Sequence, residues 1–172
     1  LNYVRATADQ LLHEELPEKQ LTIGAAESCT GGLVGKLLTD RSGSSAYFKG
    51  SLVTYSNEAK IQILGVQPAT IKTHGAVSEE CAREMAEGAL RRLETSFALA
   101  ITGIAGPDGG TAEKPVGTIY VACAGQNRET RVELLNIPLD RDRVRNYTAQ
   151  LALFHLYRYI HNRALDDGQG FR

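Results

Sequence analysis

Three observations predict an α/β fold in three layers, with helices on both faces of a mixed, mostly parallel sheet. Short apolar segments that read as buried strands alternate with segments of helical periodicity. Two strand-like segments near the end, 118–124 and 130–137, are joined near Gly125-Gln126-Asn127 and require an antiparallel hairpin within the sheet. Of the 17 glycines, 11 fall within 24–50 and 103–117, beside predicted strand ends, where an open α/β sheet holds ligands.

Taken in order, Asn2 to Leu16 is predicted helical, with Val4, Leu11 and Leu12 on one side and Pro17 stopping it. Leu21 to Ala26 is short and largely apolar, a buried strand. Thr30 begins a helix that carries Leu33-Val34-Gly35-Lys36-Leu37-Leu38. Tyr47 to Tyr55 is rich in aromatic and β-branched residues and reads as a second strand. Asn57 to Leu64 forms a short helix ending at Gly65. Ser78 is an N-cap, with Glu79 and Glu80 at the positive end of the helix dipole. Cys81, Met85, Ala89 and Leu93 then recur at four-residue steps, which defines an amphipathic helix. Phe97 to Ile101 is apolar throughout, as in a strand buried on both faces.

Pro138 and Asp140 open a long last helix to about Ile160, with Val144, Tyr147, Leu151 and Phe154 on one face. Leu153, Leu156, Tyr157 and Ile160 lie outside that face, a pattern that fits either a homo-oligomer or deep burial within one chain. Without linker, repeat or low-complexity segment, residues 1–172 read as one domain, its core about 11–163 and its last residues, 165–172, a solvated tail. Strand order does not follow from these patterns.

Composition narrows the functions. Nineteen basic and 20 acidic residues leave a net charge of -1, without the electrostatic footprint of a nucleic-acid binder. A 42% hydrophobic, 23% charged chain is not disordered. No apolar run approaches the roughly 20 residues that span a bilayer, and Leu1 to Gln10 lacks the layout of a signal peptide. Cys29, Cys81 and Cys123 show no CxxC or Cys/His zinc spacing, and the four histidines no metal spacing. Reduced thiols, a cytoplasmic location and neither metal nor cofactor are the expectation.

The first glycine cluster contains Ala26-Glu27-Ser28-Cys29-Thr30-Gly31-Gly32, where a buried strand gives way abruptly to a helix. Ser28 therefore sits beside free N–H groups of a helix's first turn, which stabilise an anion or the oxyanion of an attacked carbonyl. Gly31 and Gly32 let a ligand approach the backbone. A plain Thr30 N-cap after a tight turn explains the same residues, and Cys29 is a rival nucleophile.

A second strand end, Thr54-Tyr55-Ser56-Asn57-Glu58-Ala59-Lys60, offers Tyr55 and Lys60 as proton-transfer groups, since burial makes a lysine less basic. A surface lysine and a packed tyrosine are the plain alternative. The second glycine cluster, Thr102-Gly103-Ile104-Ala105-Gly106-Pro107-Asp108-Gly109, is neither a dinucleotide fingerprint nor a Walker A loop. It reads as a ligand cradle or as an ordinary Pro-Asp-Gly turn. Arg141, Arg143 and Arg145 crowd a helix N-terminus that disfavours cations, either gripping a phosphate or pairing with Asp140 and Asp142.

These stretches, with Gly75-Ala76-Val77-Ser78 between the second and third, occur in an order and spacing that resemble the C-terminal domain of the CinA competence/damage-inducible family. The resemblance covers roughly Leu11 to Arg163. It implies nicotinamide mononucleotide deamidase activity: hydrolysis of the carboxamide to nicotinate mononucleotide and ammonia. Carried onto this chain, it implies Ser28 as nucleophile with Tyr55 and Lys60 assisting. Thr102, Gly103, Ala105, Gly106 and Arg145 match positions that contact the nucleotide. Amides near Thr30 and Gly31 then hold the oxyanion. Longer members add an N-terminal domain resembling molybdopterin-biosynthesis proteins, and the ADP-ribose pyrophosphatase activity linked with it is not expected of these residues. A non-catalytic mononucleotide-binding module is the first alternative and a competence-related regulatory partner the second. The expected partner is a small nucleotide, not nucleic acid or membrane.

Overall fold

The computed structural model describes residues 7–162. Its sheet places β1 (Ile23–Glu27) between β2 (Phe48–Val53) and β3 (Phe97–Gly103), both parallel to it. β4 (Thr118–Gly125) runs antiparallel to β3 and β5 (Arg128–Asn136) antiparallel to β4, giving the order β2-β1-β3-β4-β5. Every residue of β1 is buried, and so is all of β3 except Gly103, as strands covered on both faces require. The register aligns Glu27 with both Val53 and Ile101. Three parallel strands therefore end close together, and the chain leaving each one enters the same rim.

Side chains alternate across the central strands and build two cores. Leu99 and Ile101 point to the face covered by α1 (Ala8–Glu18), α2 (Leu33–Thr39) and α6 (Arg141–Ile160). Ala98 and Ala100 point to the other face, where α5 (Glu79–Leu93) brings Cys81, Met85 and Ala86 against them. Small residues on that side let α5 approach closely. At Gly88 the approach has no spare room, because a Cβ there would overlap the Leu64 carbonyl. The helix thus rests directly on the turn that carries Lys60.

The predicted helix Asn57–Leu64 is two pieces. α3 (Asn57–Ala59) is capped by Ser56 Oγ, which accepts the Ala59 N–H at 3.1 Å, and a π-helical turn follows over Lys60–Leu64. α4 (Pro68–His74) stands where no periodic pattern announced a helix; a proline at its start supplies the preset φ. Pro17 does not stop α1 before it. Its ring already holds a helical φ, so the last turn continues to Glu18 and closes at Gln20 with φ 54°. The predicted helix start, Asn2 to Ala6, and the predicted tail, 165–172, lie outside the described residues.

The wide apolar girth of α6 is occupied within the chain. Leu153 and Leu156 are buried in the core shared with α1, while Tyr147 is 55% exposed. Among the described residues no helix is long and apolar enough to cross a membrane.

Candidate active site

Ser28 follows the last residue of β1 and is tied to β3 by its own amide, which donates to the Ile101 carbonyl at 3.1 Å. Lys60, at the start of the π turn, reaches it from the end of β2. The Lys60 ammonium donates to Ser28 Oγ at 3.1 Å, to the Thr54 carbonyl at 3.0 Å and to the Tyr55 carbonyl at 3.2 Å. Both side chains are buried, Ser28 at 8% exposure and Lys60 at 2%. Burial disfavours the charged form and pushes the Lys60 ammonium below the ordinary lysine value of 10.5. A lysine made less basic, in contact with a serine hydroxyl, is the geometry of an activated nucleophile.

The turn after Ser28 differs from its sequence-based reading. Gly31 and Gly32 adopt φ of 60° and 101°, values that L side chains rarely hold, and this reverses the chain into α2. Their amides do not face the cleft. Gly31 N–H donates to the Ser28 carbonyl at 3.1 Å, and Gly32 N–H to Glu27 Oε2 at 2.9 Å. Thr30 is not the cap of α2. That work falls to Glu27, whose fully buried carboxylate also accepts from Val34 at 3.1 Å, Gly35 at 2.9 Å and Ser51 Oγ at 2.6 Å. A carboxylate taken out of water must find such donors, and the free amides of a helix start are the nearest. Glu27 is thus a structural part of the site that sequence reasoning passed over. Its signal was a strand-end carboxylate just before a Gly-Gly helix entry.

Arg145 lies behind the turn that follows Ser28. Its Nε donates to the Cys29 carbonyl at 3.1 Å and its Nη2 to the Thr30 carbonyl at 3.2 Å, so it straps this turn. Arg141, one helical turn earlier, is the arginine that lines the cleft. Its guanidinium donates to the Gly106 carbonyl at 2.7 Å and to the Tyr55 hydroxyl at 3.3 Å. Arg143 pairs with Asp140 at 2.9 Å. The three arginines, grouped in sequence, thus do three different things.

Tyr55 stands at the rim, 62% exposed, with its hydroxyl on Arg141 rather than on Ser28 or Lys60; only its carbonyl touches the lysine. Cys29 lines the cleft with Ser28, but burial pushes its thiol up to about 11, so it is no thiolate at neutral pH. The cleft measures about 280 Å³, and its wall includes Thr102, Gly103, Ala105 and Gly106. The Thr102 hydroxyl donates to the Ala76 carbonyl at 2.7 Å, which ties the loop's strand to the opposite wall of the cleft. A larger groove of about 610 Å³ lies between α1, α2 and α6. Its lining is largely apolar, with Leu37, Leu151 and Phe154, and its one carboxylate, Asp9, is held by Arg41 at 2.7 Å, whereas the smaller cleft brings a buried lysine onto a serine hydroxyl. Among the described residues no three His, Cys, Asp or Glu side chains group closely enough to hold a metal ion.

Fold and site together define a class: a three-layer α/β domain with a serine–lysine pair at the carboxyl rim of its parallel strands, walled by a glycine-rich loop. The chain belongs to the CinA C-terminal domain family, whose model matches residues 5–160. A CinA-like protein of a Geobacter species is 51% identical over 166 residues, 96% of this chain and 40% of that protein. A CinA-like protein of Leptospira biflexa is 46% identical over 151 residues, 88% of this chain and 36% of that protein. The chain spans well under half the length of the curated relatives it matches. Among solved structures, the competence/damage inducible protein CihA from Agrobacterium tumefaciens superposes with a TM-score of 0.85. It is 41% identical, with 87% of this chain and 91% of that one covered. A CinA superfamily protein from Escherichia coli superposes equally well, with a TM-score of 0.85 at 30% identity, covering 92% of this chain and 93% of that one.

Proposed function

We propose that this domain deamidates nicotinamide mononucleotide, with Ser28 as nucleophile and Lys60 as its base. The observation that carries the reading is the 3.1 Å contact between Lys60 Nζ and Ser28 Oγ. Two backbone carbonyls, of Thr54 and Tyr55, occupy the lysine's other directions. In the neutral amine they take both N–H bonds, which leaves the lone pair aimed at the serine hydroxyl.

Lys60 accepts the hydroxyl proton as Ser28 Oγ attacks the carboxamide carbon. A C–O bond forms, and the carbonyl electron pair moves onto the carboxamide oxygen. The intermediate collapses, the C–N bond breaks, and ammonia leaves with the proton that Lys60 returns. Water, activated by the same amine, then splits the acyl-serine to nicotinate mononucleotide and restores Ser28. Arg141 at the rim suits the substrate's phosphate, because a guanidinium matches phosphate geometry. The reading places the protein in the cytoplasm, where free thiols such as its three cysteines persist.

The test is ammonia and nicotinate mononucleotide release by the purified chain, beside Ser28→Ala. Turnover is expected in the parent, with a loss of about a thousandfold or more in the variant. Tight binding without release would replace the enzyme with a nucleotide-binding module. Full activity in Ser28→Ala would remove the mechanism.

A further inference from the structure

The glycine loop that walls the cleft is weakly held along its own length. Its stem is zipped, with Ile104 N–H on the Thr118 carbonyl at 2.9 Å and Gly117 N–H on the Ile104 carbonyl at 2.8 Å. Beyond the stem, residues 107–113 are exposed and carry three of the chain's glycines and prolines, Pro107, Gly109 and Gly110. Segments of this kind open at low free energy unless something outside them ties them down.

Lys114 is such a tie. From the loop its ammonium reaches the connection between α4 and α5 and donates to the His74 and Val77 carbonyls, each at 2.7 Å. His74 ends α4, so its carbonyl is one of the acceptors a helix leaves without a partner, at the negative end of the dipole. The loop side of Lys114 is braced too: its amide donates to Thr111 Oγ1 at 3.0 Å, and its carbonyl accepts from Thr111 N–H at 2.9 Å. Among the described residues the ammonium has no carboxylate partner. Its charge is answered by backbone carbonyls alone. The connection that it grips places Ala76 and Val77 in the wall of the same cleft, together with Gly106, Asp108 and Gly109 of the loop.

We propose that Lys114 is a positioning residue that fixes the spacing between the two walls of the cleft and so sets how tightly substrate binds. It touches neither Ser28 nor Lys60, so its loss acts on affinity and leaves the chemical step alone. The kinetic part of this proposal rests on the deamidase reading; the tether itself does not.

The test compares the parent chain with Lys114→Met and Lys114→Arg by hydrogen exchange and by nicotinamide mononucleotide kinetics. In Lys114→Met, the hydrogen-bonded amides of the two walls, Gly75 N–H on the Ile71 carbonyl and Thr111 N–H on the Lys114 carbonyl, are expected to exchange about tenfold faster, with those of α5 unchanged. KM is expected to rise about tenfold while kcat stays within about twofold, and arginine, which also donates to two carbonyls, recovers most of the affinity. Unchanged exchange overturns the tether. Faster exchange with KM unmoved, or a fall in kcat at constant KM, overturns the positioning role. If the parent chain releases no ammonia, the deamidase reading has failed, and the exchange comparison still decides the tether. Should Lys114→Met not fold, Lys114→Gln carries the same comparison.

Discussion

Ser28 and Lys60 are 32 residues apart in sequence, yet Lys60 Nζ lies 3.1 Å from Ser28 Oγ. The register makes the distance short: β1 and β2 are parallel neighbours with Glu27 beside Val53, so the residues that follow each strand meet at one rim.

The first prediction concerns the pH at which this pair works. Lys60 must lose its proton to act as a base, and burial lowers its pKa. The parent's kcat is expected to rise with pH and to level off below 10.5, the ordinary lysine value. Lys60→Met should lose about a thousandfold or more in kcat and show no such limb. Stability moves in a matching direction. Between the lowered native pKa and the ordinary value, the unfolded chain binds more protons than the native one, so raising pH through that window favours the fold. Lys60→Met lacks this contribution. Its stability relative to the parent should therefore fall as pH climbs through the window, as denaturation midpoints over a pH series would reveal.

Arg141 and Arg145 separate by substrate. Arg141 lines the cleft, whereas both contacts of Arg145 go to the Cys29 and Thr30 carbonyls, just after Ser28. Arg141→Met should raise KM for nicotinamide mononucleotide about tenfold or more and hardly change the reaction of the riboside, which has no phosphate. Arg145→Met should lower kcat for both, because the turn that aims Ser28 loses its strap. A phosphate-selective defect in Arg145→Met would restore the nucleotide contact that the sequence suggested.

Tyr55 gives a third test. With its hydroxyl on Arg141 and its body at the rim, Tyr55→Phe removes one 3.3 Å hydrogen bond and no proton-transfer group. Its kcat should remain within about tenfold of the parent, with the larger change in KM. A loss as deep as that of Lys60→Met would place the phenol in the proton path.

What the sequence reveals here depends on how local each feature is. The continuous apolar runs around Leu99 and Ala122 and the four-residue steps of Cys81, Met85 and Ala89 identify central strands and a packed helix, because burial acts on neighbouring residues. Strand order has no local signature, so a serine–lysine mechanism requires Ser28 and Lys60 to meet, while only the β1–β2 pairing brings them together. Arg141 and Arg145 are separated by about 6 Å of helix rise, too little for composition to choose between them. Glu27 stands in the first glycine stretch with nothing local to give its role. Only the fold shows that α2 starts above it. Pro68 to His74 lacks apolar periodicity because α4 contributes no fully buried residue, and so that helix escaped notice.

Glu27 carries the last prediction. Four donors converge on a carboxylate that has no access to water: three amides of the α2 entry and the Ser51 hydroxyl. Glutamine has nearly the same shape but must turn an NH2 group toward donors that previously met oxygen. At least one buried N–H then loses its acceptor, at a cost of about 1–3 kcal/mol for each group left unsatisfied. Ser51→Ala removes one donor while the carboxylate keeps three, so it should cost about 1 kcal/mol. Glu27→Gln should therefore be the more destabilising by a clear margin in denaturant melts. Because the α2 entry follows Ser28 directly, it should also lower kcat more than it raises KM. Equal stability losses in the two variants would mean that Ser51 bears on the carboxylate as heavily as the helix amides do, against an account in which the α2 entry is what holds Glu27 and the carboxylate in turn aims the nucleophile.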